Sequence, residues 1–187
     1  MRRSFTLAML ATAVAGLAAG CGGDSSSTTS TPAVENVSGS YPSQGIRFTP
    51  PEGWSVAQGS GSLVATVQAG ASTVAVWRFQ RSERLPKSKA DLKAARDGLL
   101  AAARKHDRTF NEIKTAPTTV AGNPAVQIRA RETIAGQPRT VRSTHIYADG
   151  SEIVVQAYYE AGTFRKVDAD VFRPLLRSLQ IQRPGSA

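Results

Sequence analysis

The sequence predicts an α+β domain in which helices cover an antiparallel sheet, and three observations carry that prediction. Apolar residues alternate with a period of two along several short stretches of 45–81 and 126–159, as in strands. Two other stretches, 88–104 and 168–179, repeat their apolar residues at helical spacing. Along 72–81 both alternating sets are apolar, which fits a sheet covered on each face rather than one with a wet side.

Gly45-Ile46-Arg47-Phe48 alternates as a half-buried strand does. Pro50-Pro51-Glu52-Gly53 ends it, and Trp54 opens the next extended piece. Segments 63–68 and 72–81 read as strands joined by a turn at Ala69-Gly70-Ala71. On the second, Val74, Val76 and Arg78 share one face, and Thr73, Ala75, Trp77 and Phe79 the other.

The period changes after Leu85-Pro86. Ser88 is a good N-cap, and Asp91 stands three residues on in a capping-box position. Leu92, Ala95, Leu99 and Ala103 form the apolar stripe, widened by Leu100. Lys89, Lys93, Arg96 and Arg104 fall on the solvated side. Gly98 costs about 1 kcal/mol relative to alanine inside a helix, which suggests a close approach to the sheet at that point.

Strands return after Phe110. Segment 113–119 is extended, with a break expected at Pro117. Ala121-Gly122-Asn123-Pro124 is a turn, and 126–131 then alternates with its arginines expected outward. Ala135-Gly136-Gln137-Pro138 turns the chain into 140–147. Asp149-Gly150 is a type I′ hairpin signal leading into a strand whose Ile153, Val155, Ala157 and Tyr159 face the core. The closing helix carries the stripe Val171, Phe172, Leu175, Leu176 and Leu179. Asp168 or Asp170 is expected to cap it, and Pro174 is tolerable only in its first turn.

The first twenty residues have the layout of a secretory signal: Arg2 and Arg3, an apolar run over 5–17, then small residues. Leu17-Ala18-Ala19-Gly20-Cys21 resembles the bacterial lipoprotein lipobox, although Ala18 stands where that motif prefers leucine. The resemblance implies that Cys21, the sole cysteine, is lipidated after cleavage before it. Two acyl chains give stable anchoring at ~0.8 kcal/mol per buried methylene, where one binds only reversibly. Residues 22–40, rich in Gly, Ser and Thr, have little to bury and read as a flexible tether. The expected organisation is a signal peptide (1–20), a lipidated tether (21–40) and one globular domain (41–187).

Cleavage before Cys21 leaves 167 of the 187 residues, enough for one domain with a real core. The net charge of +9 falls to +7 with the loss of Arg2 and Arg3. On the outer face of a cell membrane, that excess favours anionic envelope polymers, anionic lipids or another envelope protein. No nucleic-acid recognition module is visible.

Three motifs resemble PsbP-like proteins. Gly45-Ile46-Arg47-Phe48 with Pro51-Glu52-Gly53-Trp54 is similar to their opening strand and turn. Val120-Ala121-Gly122-Asn123-Pro124-Ala125 is similar to their central hairpin. Phe172-Arg173-Pro174-Leu175-Leu176-Arg177-Ser178-Leu179 is similar to their closing helix. The resemblance spans about residues 41–181, in particular to actinobacterial LpqN-type envelope lipoproteins. It implies an α/β/α sandwich and a binding or accessory role rather than catalysis.

The residues themselves point to no enzyme, cofactor or metal. His106 and His145 are the only histidines: His106 closes the basic end of the first helix, and His145 sits mid-strand within reach of Glu132 or Asp149. Neither has the companions of a zinc site, and no serine elbow or phosphate loop is present. Arg129, Arg131 and Arg142 are the candidate anion-binding residues. They share one face if their strands pair across the Gly136 turn, and guanidinium forks suit phosphate and carboxylate. Salt bridges to Glu132 and Glu160 are the simpler fate for them. Trp54, Trp77, Tyr158 and Tyr159 could instead line a cavity for an apolar small molecule, which would make the protein a carrier.

Lipidation is checked by mass spectrometry of the mature protein. A diacylated Cys21 at the N-terminus is expected, and a Cys21→Ala protein that is still cut before residue 21 and still membrane-bound would contradict it.

Overall fold

The computed structural model describes residues 39–159 and 162–185. The expected signal peptide, Cys21, nearly all of the tether and Glu160 lie outside the described residues.

A seven-stranded antiparallel sheet forms the middle of the domain, in the order β3-β4-β5-β9-β8-β7-β6. Its first half comprises β3 (Ser55–Gln58), β4 (Leu63–Ala69) and β5 (Ser72–Gln80). Its second half is the meander of β6 (Asn111–Val120), β7 (Asn123–Ile134), β8 (Gln137–Ala148) and β9 (Ser151–Tyr159). Each joint of the meander is a two-residue turn with both central residues at positive φ: Ala121-Gly122, Ala135-Gly136 and Asp149-Gly150. Such turns match the right-handed twist of the strands they join. Alanine in that conformation costs roughly 1–2 kcal/mol, so at two joints the paired strands impose the turn on a residue that does not favour it.

Helix α1 (Lys89–His106) opens with the expected capping box: Ser88 accepts from the Asp91 amide, and the Asp91 carboxylate accepts from the Ser88 amide. It lies on one face of the sheet, where Leu100, with Leu92, Ala95 and Leu99 beside it, packs on Val126, Ile128, Ala130 and Tyr147. The opposite face carries the C-terminal helical stretch, formed by α2 (Phe164–Val167), a π-helical turn (Asp168–Phe172) and α3 (Arg173–Ser178). Val171, Phe172 and Leu175 are buried there with Val74, Val76, Ile153, Val155, Ala157 and Tyr159. Helix, sheet and helix form an α/β/α sandwich.

A second, three-stranded sheet joins the two ends of the domain, with β2 (Ile46–Arg47) between β1 (Ser40–Tyr41) and β10 (Gln180–Ile181). Arg78 fixes it to the main sheet. Only 3 % exposed, it reaches from β5 to donate to the carbonyls of Gln44 at 2.6 Å and Gln182 at 2.9 Å, and to the Ser151 hydroxyl at 3.0 Å. Gly45 turns the chain beside this clamp at φ 60°, where an added Cβ would run into the Gln182 carbonyl.

Four expectations from the sequence need correction. Pro117 does not break β6, because β6 is an edge strand and a missing N–H is tolerated there. Gly98 is exposed, with nothing near the position of a Cβ, so it permits no close packing. Of the β7 arginines expected outward, Arg131 is exposed, but Arg129 is half-buried against Phe164 on the face that the C-terminal helices cover. Asp168 caps nothing: the helix begins earlier, at Phe164, and Asp168 is buried within it.

Two glycine substitutions separate these environments. Gly98→Ala should raise stability to chemical denaturation by about 1 kcal/mol. Gly45→Ala should lower it by more than about 1 kcal/mol, through backbone strain and the clash with Gln182.

Candidate functional site

The register of the meander places three cations side by side. Lys114 on β6 pairs with Arg129 on β7, and Arg129 pairs with Arg142 on β8. Arg131 lies on the same face, two residues along β7 and opposite Thr140. Like charges directly opposite one another destabilise a sheet, so the row needs compensation.

The C-terminal helices supply part of it. Phe164, in α2, lays its ring against both guanidinium groups, 5.1 Å from that of Arg129 and 5.5 Å from that of Arg142. Asp168, 2 % exposed, begins the π turn and faces the sheet together with Val171 and Phe172. Its carboxylate pairs with Arg142 Nη1, accepts from Arg173 Nε at 2.8 Å, and lies 3.4 Å from the Tyr159 hydroxyl. Burial and the Asp168 charge push the Tyr159 hydroxyl well above the usual phenol range, so it stays protonated.

The three arginines predicted as one set therefore divide. Arg142 is committed to Asp168, with its side chain 12 % exposed. Arg129 is half-buried and stacks on Phe164, and among the described residues it makes no hydrogen bond or ion pair. Its Nε is shielded from water and has no acceptor. Arg131 and Lys114 are exposed. The expected bridge from this set to Glu132 does not form, because strand alternation puts Glu132 on the α1 face. Asp168, the carboxylate that matters, was assigned a capping role by the sequence. Lys114 carried no signal at all, because its place beside Arg129 depends on strand register.

On the α1 face, Glu132 is pushed from its ordinary 4.5 up to about 7 by burial and by the charge of Asp107. Burial and Glu132 together push Tyr158 up to about 12. Further along the same face, His145 Nδ1 lies 2.6 Å from Glu152 Oε1, and Arg81 pairs with Glu152 Oε2, its Nε at 2.9 Å. Burial pushes the Glu152 carboxyl up, but the hydrogen bond from His145 and the charges of His145 and Arg81 outweigh it and hold it below the usual range. The carboxylate that meets His145 is thus neither Glu132 nor Asp149. The short turn pairs Tyr147 with Glu152, which makes His145 and Glu152 diagonal neighbours on one face. Among the described residues no hydroxyl hydrogen-bonds to His145, and no three His, Cys, Asp or Glu residues cluster as metal ligands would.

The aromatic residues do not share a cavity. Trp54 and Tyr159 belong to the core under the C-terminal helices, whereas Trp77 and Tyr158 stand on the α1 face. Val74, Val155, Phe172 and Leu175, all at 0 % exposure, fill the space between the sheet and α3. A cavity of about 200 Å³ lies elsewhere, against the small sheet, lined by Ser40, Pro42, Gly45, Ile46, Arg47, Gln180 and Gln182.

No protein-family model matches the sequence. No curated protein matches it either. Solved structures do share its architecture. The solution structure of cyanobacterial PsbP (CyanoP) from Synechocystis sp. PCC 6803 aligns at a TM-score of 0.54 and 13 % identity, covering 74 % of this chain and 88 % of that one. The crystal structure of LpqN, involved in cell envelope biogenesis of Mycobacterium tuberculosis, aligns at 0.52 and 15 % identity, covering 73 % and 83 %. PA94 of Pseudomonas aeruginosa, a protein of unknown function, aligns at 0.50 and 15 % identity, covering 77 % and 87 %. The chain has a PsbP-like fold.

The environment of Glu132 has a pH signature. Its folded pKa lies above its ordinary value, so as pH rises the unfolded chain gives up this proton first. The contribution of Glu132 to stability should fall as pH rises from about 4.5 to about 7 and level off beyond. Glu132→Gln should therefore gain stability relative to wild type across that window, as read from urea unfolding at a series of pH values.

Proposed function

We propose that this protein is a lipid-anchored, extracytoplasmic module of the bacterial cell envelope that binds an anionic envelope component and catalyses no reaction. Arg129 carries the reading: a half-buried guanidinium in a cationic row, stacked on an aromatic ring and lacking any acceptor among the described residues. Like charges side by side destabilise a sheet, and an anion supplied from outside would relieve that repulsion.

The rest of the chain supports the setting. The lipobox-like segment at Cys21 would hold the domain at the membrane surface, and the net charge suits anionic surroundings. LpqN, one of the proteins with this fold, is described as involved in cell envelope biogenesis. Although His145 and Glu152 form a close pair, both are buried and Arg81 occupies the second carboxylate oxygen, which favours a structural role. The carrier alternative draws no support from the space between sheet and α3, which Val74, Val155, Phe172 and Leu175 fill.

The test uses the full chain as bait on envelopes solubilised in neutral detergent. Wild type should retain anionic envelope material at low salt and release it at high salt. The double variant Arg129→Gln/Arg131→Gln should recover little of it. Equal recovery by both proteins would contradict the reading.

A further inference from the structure

We propose that Lys114, Arg129 and Arg131 form a site for one phosphate group, presented as a phosphomonoester or phosphodiester, with the Phe164 ring as its inner wall. This rests on the cationic face proposed above and adds the chemistry of what that face takes. The register sets the arrangement. Lys114 and Arg129 are directly opposite across β6 and β7, which brings their Cβ atoms to about 4.5–5.5 Å. Arg131 follows on the same face of β7.

Arg142 and Asp168 define the inner limit of the site. The Asp168 carboxylate is already shared between Arg142 and Arg173, so it neutralises the inner end of the row and, among the described residues, leaves the outer three cations uncompensated. The row thus passes from a paired end at β8 to an exposed end at the β6 edge.

Three features favour phosphate over a carboxylate. Three cations share one face of adjacent strands, where no acidic side chain pairs with any of them among the described residues, which suits an anion of more than one charge. The Phe164 ring lies against the Arg129 guanidinium, 5.1 Å from its carbon, and a guanidinium fork donates in parallel to two oxygens of a tetrahedral group. The ammonium of Lys114 adds a point charge from the neighbouring strand, where a third oxygen would lie. A carboxylate has only two oxygens and would leave that cation without a partner.

The full chain in neutral detergent is titrated with inorganic phosphate and with glycerol phosphate, using acetate at matched ionic strength as the reference anion. Saturable binding of both phosphates, and not of acetate, is expected. Arg129→Gln and Lys114→Gln should each weaken it about tenfold, the loss of one charge-assisted contact. Lys105→Gln, the same charge change on an exposed residue of α1, should leave it unchanged. Lys114 is exposed, so its variant keeps the test decisive if Arg129→Gln folds poorly.

Acetate binding as tightly as phosphate, or equal weakening by Lys105→Gln, would overturn the site. Competition by phosphatidylglycerol mixed into the detergent micelles, but not by phosphatidylcholine, would assign the phosphate to a lipid headgroup. Competition by glycerol phosphate alone would assign it to a soluble or polymer-borne ester. The two proposals fail separately. Lost envelope retention in Arg129→Gln without phosphate binding overturns the phosphate site alone, and phosphate binding with unchanged retention overturns the envelope role alone.

Discussion

The buried carboxylate of Asp168 is the constraint around which the C-terminal third of the domain is arranged. A carboxylate at 2 % exposure is tolerable only when its charge is met, and here Arg142 from β8 and Arg173 from α3 both meet it. Asp168, Val171 and Phe172 stand at i, i+3 and i+4 of the C-terminal helical stretch, so all three face the sheet together. Docking of the helix, burial of Phe172 and the position of Phe164 over the arginines are thus parts of one arrangement. Arg78 plays a comparable part at the opposite end of the sheet, but it meets neutral carbonyls instead of a counter-charge.

The two faces of the sheet handle polar groups differently. On the α1 face, polar side chains find internal partners: His145 and Arg81 satisfy Glu152. Glu132 is an exception there, and burial favours its neutral form and raises its pKa. On the other face, among the described residues, a counter-charge meets Arg142 but none meets Arg129. A guanidinium cannot shed its charge as a buried carboxyl can. An uncompensated arginine therefore either costs stability or meets an external anion, which is why Arg129 and not Glu132 marks the candidate site.

The sequence disclosed the layers and concealed the pairings. The alternation in 126–131, the Asp149-Gly150 turn and the Ser88/Asp91 capping box are local patterns, and each one appears as read. Gly98 and Pro117 were misjudged because their consequences depend on what lies next to them: open solvent in one case, a sheet edge in the other. The site was half legible. That Arg129, Arg131 and Arg142 share a face follows from hairpin register around Gly136. That Asp168 takes Arg142 out of the set depends on a contact across 26 residues, which no local pattern announces.

The division between a structural and an uncommitted arginine is tested most directly by equilibrium unfolding of Arg142→Gln and Arg129→Gln side by side. Removing Arg142 strips a partner from a buried carboxylate and should lower stability by about 3–5 kcal/mol. Removing Arg129 loses a stacking contact worth about 0.5–1 kcal/mol but relieves the like-charge row, so stability should change by less than about 1 kcal/mol. Equal losses in the two variants would contradict the division, because Arg129 would then be as deeply committed to the fold as Arg142.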